Sequence, residues 1–432
     1  MRLEKRGEGL SSKKRNKPKV KQTSKSAASE FEEVYESFDV IIEKQTLSSK
    51  LKNIFSKHQK LFKRSAIALG SLAALSGLYL FLVYTEIPVI ANLRTTYIET
   101  AMSTMRHQWL ATAFIPQSVI DEVMEEVQRQ FEKNMIKESR LPVHPVQVEP
   151  KQTETEQNKF TALFPEVDMN TLPATIIEEQ LATLQVKDIV KQGIKTTAGD
   201  PIWAIDVPNK LLIVEVSGEG YKGKLAIIKD SSQVFLSHNT LSGRGQSVTE
   251  QCKANNAVLG INASGFQDDN GNGMGDIPVG LVKSEESVIN PAINGQYQIV
   301  GYDKNDNLRM GYGLNVKELR DAAQFYPIIV LNGENCTDGS YGMGIQPRTA
   351  IGQTSDKTTL MLIIDGRQTH SLGTTVSECA NILLRYGCWN AMNMDGGSSS
   401  SMTYMGEMIT KTSSPQKTGR YLPDAWLVRK AK

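Results

Sequence analysis

Cysteine is scarce in this 432-residue chain, with four residues at Cys252, Cys336, Cys379 and Cys388. Their spacing matches no zinc pattern and no Cys–His couple stands out, which argues against a zinc module. One or two disulfides, with three full pairings, and buried free thiols are equally open. Net charge is also nearly lacking, with 49 Lys and Arg against 47 Asp and Glu. The balance hides a division. Residues 1–64 hold 17 basic and 8 acidic residues, and the remainder holds 32 and 39. A basic arm and a mildly acidic body imply two surroundings, and the body's charge argues against nucleic acid as its partner.

Charge is absent altogether from Ser65 to Tyr84, twenty residues rich in Leu, Ala, Ile, Val and Phe. That is the length a helix needs to cross a hydrocarbon core. The run has no polar face, Lys60, Lys63 and Arg64 precede it, and Glu86 follows. By the positive-inside bias the N-terminus faces the cytoplasm and the body is exported. An apolar core at about residue 10 or 20, as a cleaved signal requires, is missing. The expectation is a single-pass type II protein of the cell membrane with an extracytoplasmic C-terminal domain. Its oligomeric state stays open.

Residues 1–64 read as a basic cytoplasmic arm, partly disordered because Met1–Ala28 holds almost no large apolar residues. From Phe31 to Phe62 apolar residues return at roughly helical spacing among lysines, either as a surface for the anionic inner leaflet or as a linker helix. After the anchor at 65–85, residues 86–140 form an extracytoplasmic helical stalk that Pro116 breaks. Residues 141–195 are a linker, Pro-rich at its start, with a short helix expected at Ala174–Gln185. From Pro201 onward short strands dominate, among them Ala257–Asn262, Thr359–Ile364 and Ala391–Met394. One helix is well specified. Thr375 and Glu378 form a capping box, Val376, Cys379, Ala380, Leu383 and Leu384 share a face, and Gly387 stops it. The fold class is α+β, a strand-dominated, mixed-sheet C-terminal domain with few helices, preceded by a transmembrane helix and a helical stalk.

The stretch Asn393-Met394-Asp395-Gly396-Gly397-Ser398-Ser399 is a turn carrying a carboxylate, two glycines and hydroxyls, suited to aim N–H groups at an anion. Asn262 with Ser264, and Asp365 with Gly366, occupy comparable strand exits, and Arg348 opens another strand where it could grip a phosphate or carboxylate. Asp268, Asn270, Asn272 and Asp276 match the first part of a calcium loop, but Val279 stands where the closing carboxylate belongs, so a Gly-rich surface loop without a cofactor is preferred and calcium is the alternative. Ser414-Pro-Gln-Lys417 with Thr418-Gly419 imitates penicillin-binding signatures, yet the two elements share a lysine and the match is rejected.

The order Gly260-Ile261-Asn262, Gly265-Phe266, Pro278-x-Gly280, Pro347-Arg348-Thr349-Ala350-Ile351-Gly352, Asp365-Gly366, Gly373-Thr374, Asn393-Met394-Asp395-Gly396-Gly397-x-Ser399 and Arg420–Ala425 resembles the phosphodiester glycosidase family. A membrane-anchored form is similar to its bacterial exopolysaccharide-associated branch. The resemblance covers 196–432 and implies cleavage of a sugar C1–O bond whose leaving group is a phosphate ester, in a cell-envelope or exopolysaccharide glycan. It implies Asp365 and Asp395 as base or nucleophile, with Arg348 and the turn Gly396, Gly397, Ser398 and Ser399 on the phosphate. Asn262, Ser264, Thr374 and Asn393 would then bind substrate. Ala263-Ser264 and Ser398 stand where the family carries glycine, which favours a second reading: a non-catalytic, membrane-tethered glycan-binding or polysaccharide-assembly protein. A signalling anchor acting through the basic arm is a third.

Overall fold

The computed structural model describes residues 27–138, 156–176, 178–268, 273–337 and 342–431. The chain divides into two units, Met1–Phe81 and Leu82–Lys432. Residues 1–26 of the arm and residues 141–155 and 177 of the expected linker lie outside the described residues. Eight helices lie among those described: α1 Ala27–Tyr84, α2 Pro88–Met102, α3 Trp109–Thr112, α4 Gln117–Glu138, α5 Glu156–Leu163, α6 Glu178–Leu181, α7 Val248–Ala254 and α8 Val376–Arg385. Within α1, Thr46–Tyr84 is long and apolar enough to cross a membrane, and its most apolar stretch is almost wholly exposed. The helix expected at Ala174–Gln185 shrinks to α6, because Gln185 already enters a strand.

The strands in chain order are β1 Gln185–Lys187, β2 Ile202–Asp206, β3 Leu211–Gly218, β4 Tyr221–Ile228, β5 Val234–His238, β6 Ala257–Asn262, β7 Val282–Ser284, β8 Ser287–Asn290, β9 Gln298–Asp303 and β10 Leu308–Gly311. They continue with β11 Leu319–Phe325, β12 Ile328–Leu331, β13 Glu334–Asn335, β14 Arg348–Thr354, β15 Thr359–Ile364, β16 Cys388–Met394, β17 Met402–Tyr404, β18 Glu407–Met408 and β19 Asp424–Arg429. They build a nine-stranded sheet, β1-β2-β3-β4-β15-β14-β16-β12-β13, and two five-stranded sheets, β10-β9-β11-β7-β8 and β18-β17-β6-β19-β5. The α+β, strand-dominated expectation holds. Every pairing between named strands is antiparallel, however, rather than mixed. The crossover through α8 does make β15 and β16 parallel to each other, but β14 lies between them and runs against both.

The large sheet is buried on both faces, which is why β15 reads as an unbroken apolar run. Leu360, Leu362 and Ile364 face Cys379, Ala380 and Leu383 of α8 together with Phe160 and Phe164 of α5. Met361 and Ile363 face the smaller sheets, where Ile261, Tyr302 and Trp426 meet them.

Helix α8 starts at Thr375, whose hydroxyl accepts from the Glu378 N–H at 3.2 Å. The reciprocal half of the expected capping box is replaced. Glu378 accepts from the Tyr221 hydroxyl at 2.7 Å and from Asn381 Nδ2 at 3.2 Å. Gly387 stops the helix at φ 70°. A complete box sits instead at α7, between Ser247 and Glu250. Helices α2 to α4 pack on one another through Ile98, Ala101, Ala111 and Ile120, and they belong to the same compact unit as the strands.

Replacing the Ser247 cap by Ala is expected to cost about 1 kcal/mol of unfolding free energy. Leu362→Ala, which removes a fully buried side chain, is expected to cost about 2–5 kcal/mol. Equilibrium chemical denaturation checks both.

Candidate active site

The chain leaves the large sheet at the end of β16, passes through residues 395–401, and enters the smaller sheet as β17. The turn centred on Asp395 is therefore a corner between sheets. Asn262, at the end of β6, fixes it. Its Nδ2 donates to the Asp395 carbonyl at 2.6 Å, and its Oδ1 accepts from the Thr349 hydroxyl at 2.8 Å and from the Ser401 N–H at 3.3 Å. The Asp395 N–H donates to the Ala263 carbonyl at 3.1 Å. Asn262 is fully buried, so the residue expected on sugar hydroxyls holds the scaffold instead.

Asp395 keeps part of its surface accessible, yet protein around it shields it from water. Burial pushes its carboxyl up to about 6, against the Ser399 hydroxyl, the Arg420 charge and the Gly396 N–H, which favour the anion. Three more N–H groups of the turn are engaged as well: Gly397 donates to the Pro347 carbonyl, Ser399 to Gly396 and Ser400 to Gly397. Much of the turn's backbone is thus spent within the fold. Arginines surround it instead.

Arg348 is buried, and its guanidinium donates to the carbonyls of Thr374 at 3.0 Å, Met343 at 2.9 Å and Gly344 at 2.6 Å. Burial lowers its pKa to about 10. Its bonds brace the loop before β14. Two arginines that sequence reasoning did not assign lie closer to Asp395 in electrostatic terms. Arg367 donates from Nε and Nη2 to Gln346 Oε1 at 3.0 and 2.6 Å. Burial and the Arg420 charge hold it below its ordinary pKa, while Asp395 pulls the other way. Arg420 donates to the Ser398 hydroxyl at 3.0 Å, pairs with Asp268 at 2.6 Å, and lies 4.6 Å over the Phe266 ring. Ser398, where a glycine was expected, therefore orients Arg420. Gly397 has φ 61°, and a Cβ there would come within 3.1 Å of Arg367 Nη2. The available signal was positional: Arg367 follows the Asp365-Gly366 strand exit and Arg420 opens the segment running into β19.

Asp365 and Asp395 follow strand ends on either side of β14 at the same end of the large sheet's central strands, since Arg348 pairs with Ile364 and Thr349 with Met394. Asp365 Oδ2 is 3.1 Å from His370 Nε2, and its Oδ1 accepts from the Lys411 N–H at 3.0 Å. Burial raises its pKa against both contacts. His370 was absent from the sequence reading. Thr374 bridges to Gln346 through its backbone. Asn393 donates to the Tyr326 carbonyl at 2.8 Å and leaves a buried Oδ1 without a partner among the described residues. Tyr326 and Tyr297, edge to face at 5.3 Å, form an aromatic wall whose phenols are raised by burial and by the nearby Asp395 charge.

Asp424 is a further carboxylate that sequence reasoning left without a role. It is fully buried, accepts from the Ser264 N–H at 2.8 Å, and is pushed up to about 7 by burial and the Asp395 charge. Ser264 is thus drawn to Asp424 rather than presented to solvent.

Asn270 and Asn272 of the calcium candidate lie outside the described residues. Asp268 gives one oxygen to Arg420 and the other to the Gly273 N–H at 2.7 Å, so a cation there would sit against a guanidinium. No disulfide joins the four cysteines, and burial pushes Cys252, Cys379 and Cys388 up to about 12. A hollow of about 290 Å³ elsewhere includes Glu285, Arg320 and Arg429, but Arg429 pairs with Glu285 and Arg320 with Asp321.

Residues 255–429 match the phosphodiester glycosidase family. This segment is a phosphodiester glycosidase domain. Strands β4 and β5 precede the match but pair with β15 and β19, so the sheets extend beyond the matched segment. A prophage-derived uncharacterized protein of Bacillus subtilis, YomE, is 42% identical over 67 residues, 16% of this chain and 10% of that protein. The chain therefore spans about a tenth of that relative's length. Among solved structures, the zebrafish N-acetylglucosamine-1-phosphodiester alpha-N-acetylglucosaminidase catalytic domain, auto-inhibited by its pro-peptide, is 18% identical at a TM-score of 0.42, covering 51% of this chain and 82% of that one. A hypothetical protein from Synechocystis is 14% identical at 0.39, covering 55% and 65%.

In the phosphodiester glycosidase domain, Asp424 has a folded pKa above the ordinary 3.8. The folded state therefore holds its proton more tightly than the unfolded chain, and stability is lost as pH rises from about 4 to about 7. Asp424→Asn is expected to raise Tm at pH 8, the underlying gain being at most about 4 kcal/mol, and to give no gain near pH 4. Thermal melts of both proteins across this range check the sign.

Proposed function

We propose that this protein is a membrane-anchored, extracytoplasmic hydrolase that cleaves the C1–O bond of a sugar-1-phosphodiester in a cell-envelope or exopolysaccharide glycan. The observation that carries this reading is the grouping of Asp395, a carboxylate raised to about 6, with the guanidiniums of Arg367 and Arg420. Phosphate is a good leaving group, so the demands fall on the positive charge that develops at the sugar and on the departing anion. Ionised Asp395 answers the first, either as nucleophile or by taking a proton from the attacking water. Arg367 and Arg420 answer the second as fixed donors that need little reorganisation. Asp365 aligns His370 at the opposite side of β14. Tyr297 and Tyr326, with their rings at right angles, supply an aromatic corner for a sugar ring beside Asp395.

The run Ser65–Tyr84, with Lys60, Lys63 and Arg64 before it, supports a cytoplasmic N-terminus and a hydrolase outside through the positive-inside bias. The engagement of Ser398 with Arg420 supports an intact site over a purely binding one, because this side chain orients a phosphate-binding group instead of blocking it.

The purified full chain is expected to release free sugar from UDP-N-acetylglucosamine or a simpler sugar-1-phosphodiester. Asp395→Asn should lower kcat/KM by roughly 10²–10⁴-fold, and Arg367→Ala by roughly 10²–10³-fold. Because Asp395 works as the anion, activity should fall as pH drops through about 6. Sugar binding without release would leave the glycan-binding reading in its place.

A further inference from the structure

Helix α2 has two faces. Inward, Ile98 and Ala101 pack with Ala111, Val119 and Ile120. Outward, Val89, Leu93 and Tyr97 recur every four residues and are 70%, 66% and 42% exposed. The Tyr97 hydroxyl donates to the Leu110 carbonyl at 2.6 Å, so the stripe adjoins α3, where Trp109 is 56% exposed, and Met105 between the two helices is 62% exposed. Chain connectivity says what lies near this surface. Val89 follows the end of the apolar helix at Tyr84 by five residues, which span at most about 18 Å. An apolar helical stripe with Tyr and Trp at its margin, tethered that closely to a membrane span, has the composition of an interfacial helix.

The same α2 reaches the active site. The Thr100 hydroxyl accepts from the Ile345 N–H at 3.0 Å, and Gln346 Nε2 donates to the Thr100 carbonyl at 2.8 Å and to the Ser103 hydroxyl at 2.9 Å. Gln346 Oε1 is the acceptor that holds Arg367, and the Gly344 carbonyl beside it holds Arg348. The packing is close enough that a Cβ at Gly344 would lie 2.5 Å from the Thr100 nitrogen. From Val89 to Thr100 the helix rises about 17 Å. The arginines are therefore held, through one helix, within a short distance of whatever surface the stripe occupies.

We propose that the α2–α3 stripe lies in the outer face of the bilayer, and that the phosphodiester cleaved at the Asp395 site carries a membrane lipid as its leaving group. This deepens the hydrolase reading above and rests on it. Water adds to the sugar C1, the C1–O bond breaks with its electron pair going to the phosphate oxygen, and a lipid phosphate monoester stays in the leaflet while the free sugar departs.

Two measurements on the full chain in lipid nanodiscs test the proposal. Trp109 emission, obtained as the difference between wild type and Trp109→Phe, should be strongly quenched by brominated lipid; absence of quenching overturns the seating. Turnover is compared for the hexadecyl and methyl esters of N-acetylglucosamine-1-phosphate. Leu93→Asp combined with Val89→Asp, both at exposed positions, should lower turnover of the hexadecyl ester at least about tenfold and leave the methyl ester within about twofold. Equal loss on both esters, no loss on either, or a change of oligomeric state without quenching overturns the proposal. If wild type cleaves neither ester while Trp109 is quenched, the hydrolase reading falls and takes the lipid substrate with it. If it cleaves the methyl ester but not the hexadecyl one, the hydrolase stands and the lipid substrate falls.

Discussion

The side-chain amide of Asn262 is the joint on which the site depends. It touches the end of β16 through the Asp395 carbonyl, the start of β14 through Thr349 and the approach to β17 through Ser401, so one buried group links strands of two different sheets. The turn between β16 and β17 is where the chain changes sheet, and such a corner has few ladder hydrogen bonds of its own. Loss of the amide would leave several buried polar groups unsatisfied at once, each costing about 1–3 kcal/mol. The position of Asp395 is thus set by the core.

Around this joint, burial acts on charges of both signs. Asp395 and Asp424 are held above the ordinary carboxylate range, and Arg348 and Arg367 below the ordinary guanidinium range. Each shift opposes the charged form and weakens the folded state near neutral pH, the kind of cost that functional sites carry and cores do not. The arginines divide their work by partner. Arg348 is saturated by backbone carbonyls and braces the loop, Arg367 is steered by the neutral oxygen of Gln346, which does not neutralise its charge, and Arg420 is shared between the Ser398 hydroxyl and the Asp268 carboxylate. Helix α2 reaches this arrangement through Thr100 and Gln346, so the segment next to the apolar span helps to hold Arg367.

Much of the fold was legible. The apolar runs Ala257–Asn262 and Thr359–Ile364 are strands with those bounds, and Gly387 does end α8. These runs could be read because burial on both faces leaves a short unbroken apolar run bounded by turn residues. Strands such as β7 and β10 are too short or too mixed to announce themselves. At the site, the types of Asp365 and Asp395 marked two strand exits, but direction was hidden. Nothing local says that Asn262 points at the core, that Arg348 points at carbonyls, or that Ser264 is captured by Asp424, 160 residues away in sequence. His370 and Arg420 owe their places to tertiary contacts with Asp365 and Ser398.

The central claim is cleavage at the sugar carbon, and oxygen labelling tests it most directly. The full chain would be incubated with a sugar-1-phosphodiester in water enriched in oxygen-18, and both products analysed by mass spectrometry. Label in the C1 hydroxyl of the released sugar, with none in the phosphate monoester, is the expected result. Label in the phosphate would mean attack at phosphorus and would contradict the account.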